Sequence, residues 1–300
     1  MPNFTEYLTT FQLNDGVDIS VSIFLPESPK RVLLHTHGNA INKEFYTSYA
    51  RFLANSGVVC YLVDFRGSGK SGGRKGRVEY TGQLEMDLIQ LVEYIKSEYP
   101  ILPFYLSGHS GGTVINSKVL ADYNVFGVDG LICFAPIYPQ NFRSNPNILL
   151  GTLNSLLPVF MRIFSNKLIQ TLPRMNYFKL FLASYFPIFR HAYVLTFPKN
   201  MNQEFDFKFS YLTVKSYAFK NPNKFLRRLS VPVFYAIGSD DEVTKYEYSE
   251  DVFNQILHSN PASCMKVVEG ANHFNILRKA KKHALIWMNE LDEKQGEKYV

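Results

Sequence analysis

The sequence predicts an α/β protein built on a parallel sheet, and three observations carry that prediction. From Arg31 to Ile137, apolar strand-like runs alternate with helical stretches, a rhythm that calls for right-handed crossovers between parallel strands. One run, Val58-Val59-Cys60-Tyr61-Leu62-Val63, is apolar without a break, as a strand buried on both faces must be. Another, Phe104-Tyr105-Leu106, leads into Gly108-His109-Ser110-Gly111-Gly112 and then a helix-compatible segment to Tyr123. That is the strand, sharp turn and helix in which Gly-x-Ser-x-Gly holds a serine clear of the backbone.

The elements follow in order. Phe4 to Leu13 and Val17 to Leu25 alternate polar and apolar residues around Asn14-Asp15-Gly16, which reads as a β-hairpin. Arg31 to Gly38 is a strand ending in His37-Gly38, and Lys43 to Ser56 is a helix stopped by Gly57. After the strand to Asp64, a loop rich in glycine and charge (Arg66 to Arg77) precedes an amphipathic helix from Gly82 to Glu98. Gly130 to Ile137 is the next strand. The rhythm then breaks for roughly 90 residues that are mostly helical in pattern and offer no core strand. It resumes with strand Val231 to Gly238, helix Tyr246 to His258, strand Ser263 to Val268 and a C-terminal helix from Ile276. The polar tail Asp292 to Val300 is expected to fray. Residues 1–138 and 229–300 are therefore expected to form one body, with 139–228 inserted into it.

Composition narrows the class. With 46% hydrophobic and 19% charged residues, the 300-residue chain can bury a substantial core. Cys60, Cys133 and Cys264 lie far apart in strand-like contexts, so all three are expected as core fillers in a reducing, cytoplasmic setting. The segment MPNFTEYLTTF has neither the basic nor the apolar region of a signal peptide. The longest apolar stretches, Leu156 to Phe164 and Leu180 to Phe189, are short and contain Pro158 and Pro187. The net charge of +6 conceals an asymmetry: residues 139–228 carry 13 Lys/Arg against Glu204 and Asp206, and the rest of the chain is acidic. A basic insertion in an acidic body points toward an anionic surface or ligand.

A serine at such a turn needs a base, and the base needs an orienting acid. On parallel sheets these groups sit at the carboxyl ends of strands. Gly238-Ser239-Asp240-Asp241-Glu242-Val243 follows one strand, and Gly270-Ala271-Asn272-His273-Phe274 follows the last. The Gly111 N–H, at the helix start, can face the oxyanion of an attacked carbonyl. Among the other histidines, His191 falls in the insertion, His258 and His283 in helices, and His109 beside the serine but pointing elsewhere. His35 and His37 share a strand face with no third ligand nearby, so neither a metal nor a cofactor is expected. Gly67-Ser68-Gly69-Lys70-Ser71 ends like a phosphate-binding loop, but Asp64 stands where that motif needs its first glycine. It is read as a structural loop, with Asp64 and Arg66 bonding turn backbone or each other. No nucleotide or nucleic acid is expected.

Four motifs recur together at sheet-compatible spacing: His37-Gly38-Asn39-Ala40, Asp64-x-Arg66-Gly67-x-Gly69-x-Ser71-x-Gly73, Gly108-His109-Ser110-Gly111-Gly112 and Gly270-Ala271-Asn272-His273. In this the chain resembles the α/β-hydrolases of the monoacylglycerol lipase and lysophospholipase-like group. The resemblance implies a mostly parallel eight-stranded sheet with helices on both faces and a mainly helical cap, 139–228, after the sixth strand. It implies Ser110 as nucleophile, His273 as base, and an acid three residues after Gly238, which selects Asp241 over the alternative Asp240. It implies oxyanion donors at the backbone N–H groups of Asn39 and Gly111, with His37 shaping that loop. The implied substrate is a carboxylic ester, a monoacyl lipid in the first place. A carboxylesterase or thioesterase on small acyl groups, and a non-catalytic ligand-binding homologue, are the alternatives.

The insertion matches no motif of that group. It holds 18 Phe and Tyr, among them Phe160, Phe164, Phe178, Phe181, Phe186 and Phe189. Most are expected to bury the insertion on the body, and the remainder to line an apolar throat suited to acyl groups. An aminopeptidase would need carboxylates there for a substrate ammonium, and only Glu204 and Asp206 are available. The basic charge is expected to favour peripheral contact with an anionic membrane. The sequence leaves the oligomeric state open.

Overall fold

The computed structural model describes residues 3–123, 125–138, 173–197, 207–219, 225–244, 246 and 249–296. In chain order the elements begin with β1 (Phe4–Gln12), β2 (Asp18–Pro26), β3 (Arg31–Thr36), α1 (Thr47–Ala54), β4 (Val58–Val63) and α2 (Gln83–Glu98). They continue with β5 (Phe104–His109), α3 (Gly111–Asp122) and β6 (Gly130–Phe134). The described insertion contains β7 (Arg174–Met175), α4 (Tyr177–Tyr185), β8 (Tyr193–Phe197), β9 (Phe207–Ser210) and α5 (Tyr211–Ser216). The body resumes with β10 (Val233–Gly238), α6 (Ser249–Ser259), β11 (Cys264–Val268) and α7 (Ile276–Gly296).

The main sheet has eight strands in the order β1-β2-β4-β3-β5-β6-β10-β11. The hairpin β1/β2 and the pair β2/β4 are antiparallel, and every pairing from β4 to β11 is parallel. Alternate residues of each central strand feed two cores, as the period-two pleat requires. Val32, Leu34, Val59 and Leu106 pack with α2, α3 and α6 on one face. Leu33, Cys60, Tyr105 and Ile132 pack with α1 and α7 on the other. Helices therefore cover both faces, and the uninterrupted apolar β4 is buried along its whole length.

The parallel strands all end on one side, and the loops after β3, β5, β10 and β11 carry the residues singled out in the sequence. The glycine-rich loop after β4 is structural, with Asp64 bonded to turn backbone as expected and Arg66 bonded elsewhere. Asp64 accepts from the Lys70 N–H and from Lys43 Nζ (2.9 and 3.1 Å). Arg66 instead reaches Asp87 on α2 (Nε to Oδ2, 2.6 Å) and Asp15 in the hairpin turn (2.8 Å). Of the three cysteines only Cys60 and Cys133 are buried; Cys264 is exposed because β11 is the last strand of the sheet.

No described strand of the insertion joins the main sheet. β7, β8 and β9 form a separate three-stranded antiparallel sheet that the helical reading did not include. This unit docks on residues 75–78 and on α3. Ser210 N–H and Thr213 Oγ1 both donate to the Gly76 carbonyl at 2.9 Å, and Lys118 Nζ donates to the Ser216 carbonyl at 2.6 Å. Phe207 and Phe209 are buried there. The expectation that most aromatics bury does not hold on α4, whose one buried residue is Ala183. Phe178, Phe181 and Tyr185 are 73%, 56% and 71% exposed and share one face by helical spacing. Phe186 and Phe189, just beyond the helix, are exposed as well. Phe160, Phe164, Glu204, Asp206 and the run Leu156 to Phe164 lie outside the described residues. No described helix is long and apolar enough to cross a membrane.

Candidate active site

The turn after β5 places Ser110 with φ 52° and ψ −121°, a left-handed conformation that costs free energy for a residue with a Cβ. The sharp reversal leaves no room for side chains on its flanks. A methyl on Gly108 would meet Thr113 N at 2.8 Å, and one on Gly112 would meet the Thr36 carbonyl at 2.6 Å. The Ser110 N–H is held by the Phe134 carbonyl at the end of β6 (2.9 Å). Ala40 and Ala135 are the other described non-glycine residues with positive φ; one lies in the loop after β3 and one just past β6.

Ser110, His273 and Asp241 come together from three strand ends. His273 Nε2 is 2.9 Å from Ser110 Oγ, and its Nδ1 is 3.1 and 3.0 Å from the two oxygens of Asp241. All three are buried. Asp241 Oδ1 also accepts from the N–H groups of Val243 and Thr244 (2.9 and 2.7 Å). Burial pushes this carboxyl up, but His273 and those N–H groups outweigh burial and hold it below the usual carboxylate range. Of the two neighbouring acids, Asp241 is the one bonded to His273. Asp240 is exposed and accepts from Ser239 Oγ at 2.8 Å, with no bond to His273. Glu242, which the sequence reading left without a role, accepts from the His273 main-chain N–H at 3.1 Å.

The loop after β3 and the start of α3 are equally constrained. No hydrogen bond among the described residues uses the backbone N–H of Asn39 or of Gly111. The loop that presents Asn39 is held by His37, whose Nδ1 lies 2.7 Å from the Gly38 carbonyl and whose Nε2 accepts from Phe65 N–H at 3.1 Å. Lys43 anchors its far end through the buried pair with Asp64. His35 Nδ1 lies 2.9 Å from Ser107 Oγ, and both ring nitrogens of His37 are bonded to main-chain groups. His191 lies 3.7 Å from Glu79, and His258 and His283 are exposed.

His109 has more to do than the sequence indicated. Gly38 N–H donates to Tyr46 Oη (2.9 Å), which lies 2.9 Å from His109 Nδ1. Nε2 of the same ring is 2.8 Å from the His273 carbonyl. Since a carbonyl only accepts, Nε2 carries the proton and Nδ1 accepts from Tyr46. Burial first, then the neighbouring His273, lowers the His109 pKa to about 3, so the ring is neutral. The chain of bonds joins the Asn39 loop to the His273 loop through the residue before Ser110.

A buried serine hydroxyl bonded to an imidazole, itself bonded to a carboxylate, can be deprotonated as it attacks a carbonyl. On this fold, the arrangement defines the class: a serine ester hydrolase of the α/β-hydrolase type. The chain belongs to the serine aminopeptidase S33 family, whose model matches residues 27–277. It is 22% identical over 246 residues to a monoglyceride lipase homolog of monkeypox virus, covering 82% of each chain. It is 26% identical over 134 residues to the monoglyceride lipase of Mus musculus, covering 44% of each. Among solved structures, a thermostable carboxyl esterase from Bacillus coagulans superposes with a TM-score of 0.67 at 18% identity, covering 97% of this chain and 98% of the other. That likeness is one of fold.

Proposed function

We propose that the protein hydrolyses carboxylic esters of monoacyl lipids through an acyl-enzyme on Ser110. The observation that carries this reading is the relay from Ser110 Oγ through His273 to Asp241, set beside two unused N–H groups. Ser110 attacks the ester carbonyl while His273 Nε2 takes its proton, and Asp241 accepts from Nδ1–H and balances the imidazolium. The Asn39 and Gly111 N–H groups donate to the tetrahedral oxyanion. His273 returns the proton to the departing alcohol, and water repeats the sequence to release the acid.

The names of the viral and murine relatives favour a monoacyl glycerol ester. Residues 139–228 act in this reading as a cap that follows β6 and presents substrate. Three features of the insertion support a lipid over a peptide. Its 18 Phe and Tyr, several of them exposed on α4, suit acyl chains. Its two carboxylates, Glu204 and Asp206, are few for holding a substrate ammonium. Its excess positive charge would draw the cap to anionic lipid surfaces.

A hydrolysis panel tests the substrate class. Monoacylglycerols, lysophospholipids, short alkyl esters, acyl thioesters and aminoacyl anilides are compared by kcat/KM. Monoacylglycerols of medium or long chain are expected to lead. Cleavage of the anilides in preference to every ester would refute the lipid assignment and leave the hydrolase machinery standing.

A further inference from the structure

A cavity of about 280 Å³ opens between the segment Phe45 to Tyr49, which leads into α1, and the start of α7. Phe45, Tyr46, Phe274 and Leu277 give it apolar walls, and Arg278 and Lys281 stand on its α7 side. No Asp or Glu lines it, and neither do Ser110, Asn39 or Gly111. It is a space apart from the proposed catalytic site, yet it shares walls with that site's supports. The Phe274 ring centroid is 5.2 Å from that of His273, and Phe45 is 6.4 Å from His109 in a stacked arrangement.

The cations are placed against local electrostatics. α7 opens with Ile276-Leu277-Arg278-Lys279-Ala280-Lys281-Lys282 and has no acid in its first turn. A helix start carries partial positive charge, which favours anions there and disfavours cations. Lys279 is accounted for, since its Nζ donates to the carbonyls of Glu269 and Gly270 (3.3 and 2.7 Å). Arg278 and Lys281 are three residues apart and so share a helix face. Neither has an ion pair among the described residues; Lys281 Nζ instead lies 4.7 Å from the centre of the Phe52 ring. The acids around α1 are engaged elsewhere, Glu44 with Lys43 and Lys70, and Glu6 with Arg51.

The backbone donors of this turn are also taken. Asn272 Oδ1 accepts from the N–H groups of Phe274 and Asn275 (3.1 and 2.8 Å). A ligand anion would therefore meet two side-chain cations and no nest of free N–H groups, which suits a singly charged carboxylate better than a phosphate. The cavity holds about nine or ten heavy atoms at ~30 Å³ each, the size of octanoate.

We propose that this cavity binds a medium-chain carboxylate, with its chain against Phe45, Phe274 and Leu277 and its headgroup at Arg278 and Lys281. The apolar walls and the unpaired cations each match one half of such a ligand, and the inference stands independently of the ester-hydrolase reading.

Photolabelling of the full chain with a diazirine analogue of octanoic acid, mapped by peptide mass spectrometry, locates the site without reading hydrolysis. Adducts are expected on Phe45 to Tyr49 and on Phe274 to Lys281. Excess octanoate should suppress them, while octanol and acetate at equal concentration and ionic strength should not. Arg278 is exposed and Lys281 half-buried, so Arg278→Gln with Lys281→Gln should fold and label there at least about ten-fold less. Ser48→Trp, at an exposed lining position, should block the cavity and remove the adducts while circular dichroism stays native.

Adducts confined to other segments, or unchanged labelling in the double variant, overturn the proposal. Competition by octanol as strong as by octanoate reduces the cavity to an apolar hollow without a role for the cations. Octyl phosphate competing ten-fold better than octanoate overturns the carboxylate assignment. A chain that hydrolyses no ester and still labels as expected would keep this site and lose the hydrolase reading.

Discussion

Nε2 of His109 lies 2.8 Å from the main-chain carbonyl oxygen of His273, so the residue before Ser110 braces the residue that would serve as base in the proposed reaction. The brace continues through Tyr46 to the Gly38 N–H, beside the proposed oxyanion donor Asn39. Both halves of the site are thus fixed to one buried neutral ring. Small displacements of reacting groups cost rate steeply. His109→Ala is expected to lower kcat on a short-chain ester by about 10- to 100-fold with a much smaller change in KM. Steady-state kinetics of the variant checks this, and a kcat within two-fold of wild type would show that the brace has no catalytic consequence.

The same ring makes stability depend on pH. Folding lowers the His109 pKa from 6.5 to about 3, so between those values the unfolded chain binds a proton that the folded chain excludes. Stability therefore rises with pH across that window and is lost on acidification below about 6.5. One such group contributes about 1.4 kcal/mol per pH unit, or about 2 kcal/mol between pH 6.5 and 5. Urea unfolding of wild type and His109→Gln at several pH values should show a shallower acid limb in the variant. Parallel limbs would mean that His109 does not carry the dependence.

Asp241 and Asp240 should separate cleanly by mutation. Asp241→Asn is expected to reduce kcat by about 10³ to 10⁴-fold, because the orienting carboxylate is lost. Asp240→Asn, altering an exposed side chain bonded to Ser239, should change kcat less than about three-fold. Reversal of that order would exchange their roles.

Local sequence pattern makes most of the fold and the triad candidates legible. The apolar run of β4 and the Gly-x-Ser-x-Gly turn announce a buried parallel sheet and a strained serine within a few residues each. The partners of Arg66 and His109 were not legible. Asp87 lies 21 residues from Arg66, and Tyr46 lies 63 residues from His109; no local period encodes such pairings. The sheet β7-β8-β9 is not legible in the sequence because β7 has two residues and β8 is a short apolar run between helical patterns. Cys264 was misplaced for a related reason: strand composition does not reveal which strand ends the sheet.

The basic, aromatic insertion should make membrane binding sensitive to charge. The excess positive charge of residues 139–228 and the exposed Phe178, Phe181 and Tyr185 suit an anionic bilayer surface. Each well-placed cation adds up to about 1 kcal/mol, screened over roughly 8 Å at physiological salt. Co-sedimentation should show tighter binding to anionic than to zwitterionic vesicles, weakening as salt is added. Phe178→Ser with Phe181→Ser should weaken it further at fixed salt. Equal binding to both vesicle types, or none, would leave the charge as ordinary surface solvation.

Ser110 as the attacking nucleophile is tested most directly by fluorophosphonate labelling read by intact-protein and peptide mass spectrometry. Wild type is expected to gain one phosphonyl adduct, mapped to Ser110, with parallel loss of ester hydrolysis. Ser110→Ala, folded by circular dichroism, should gain none and lose hydrolysis by several orders of magnitude. An adduct on another residue, or labelling of Ser110→Ala at the wild-type level, would contradict the assignment.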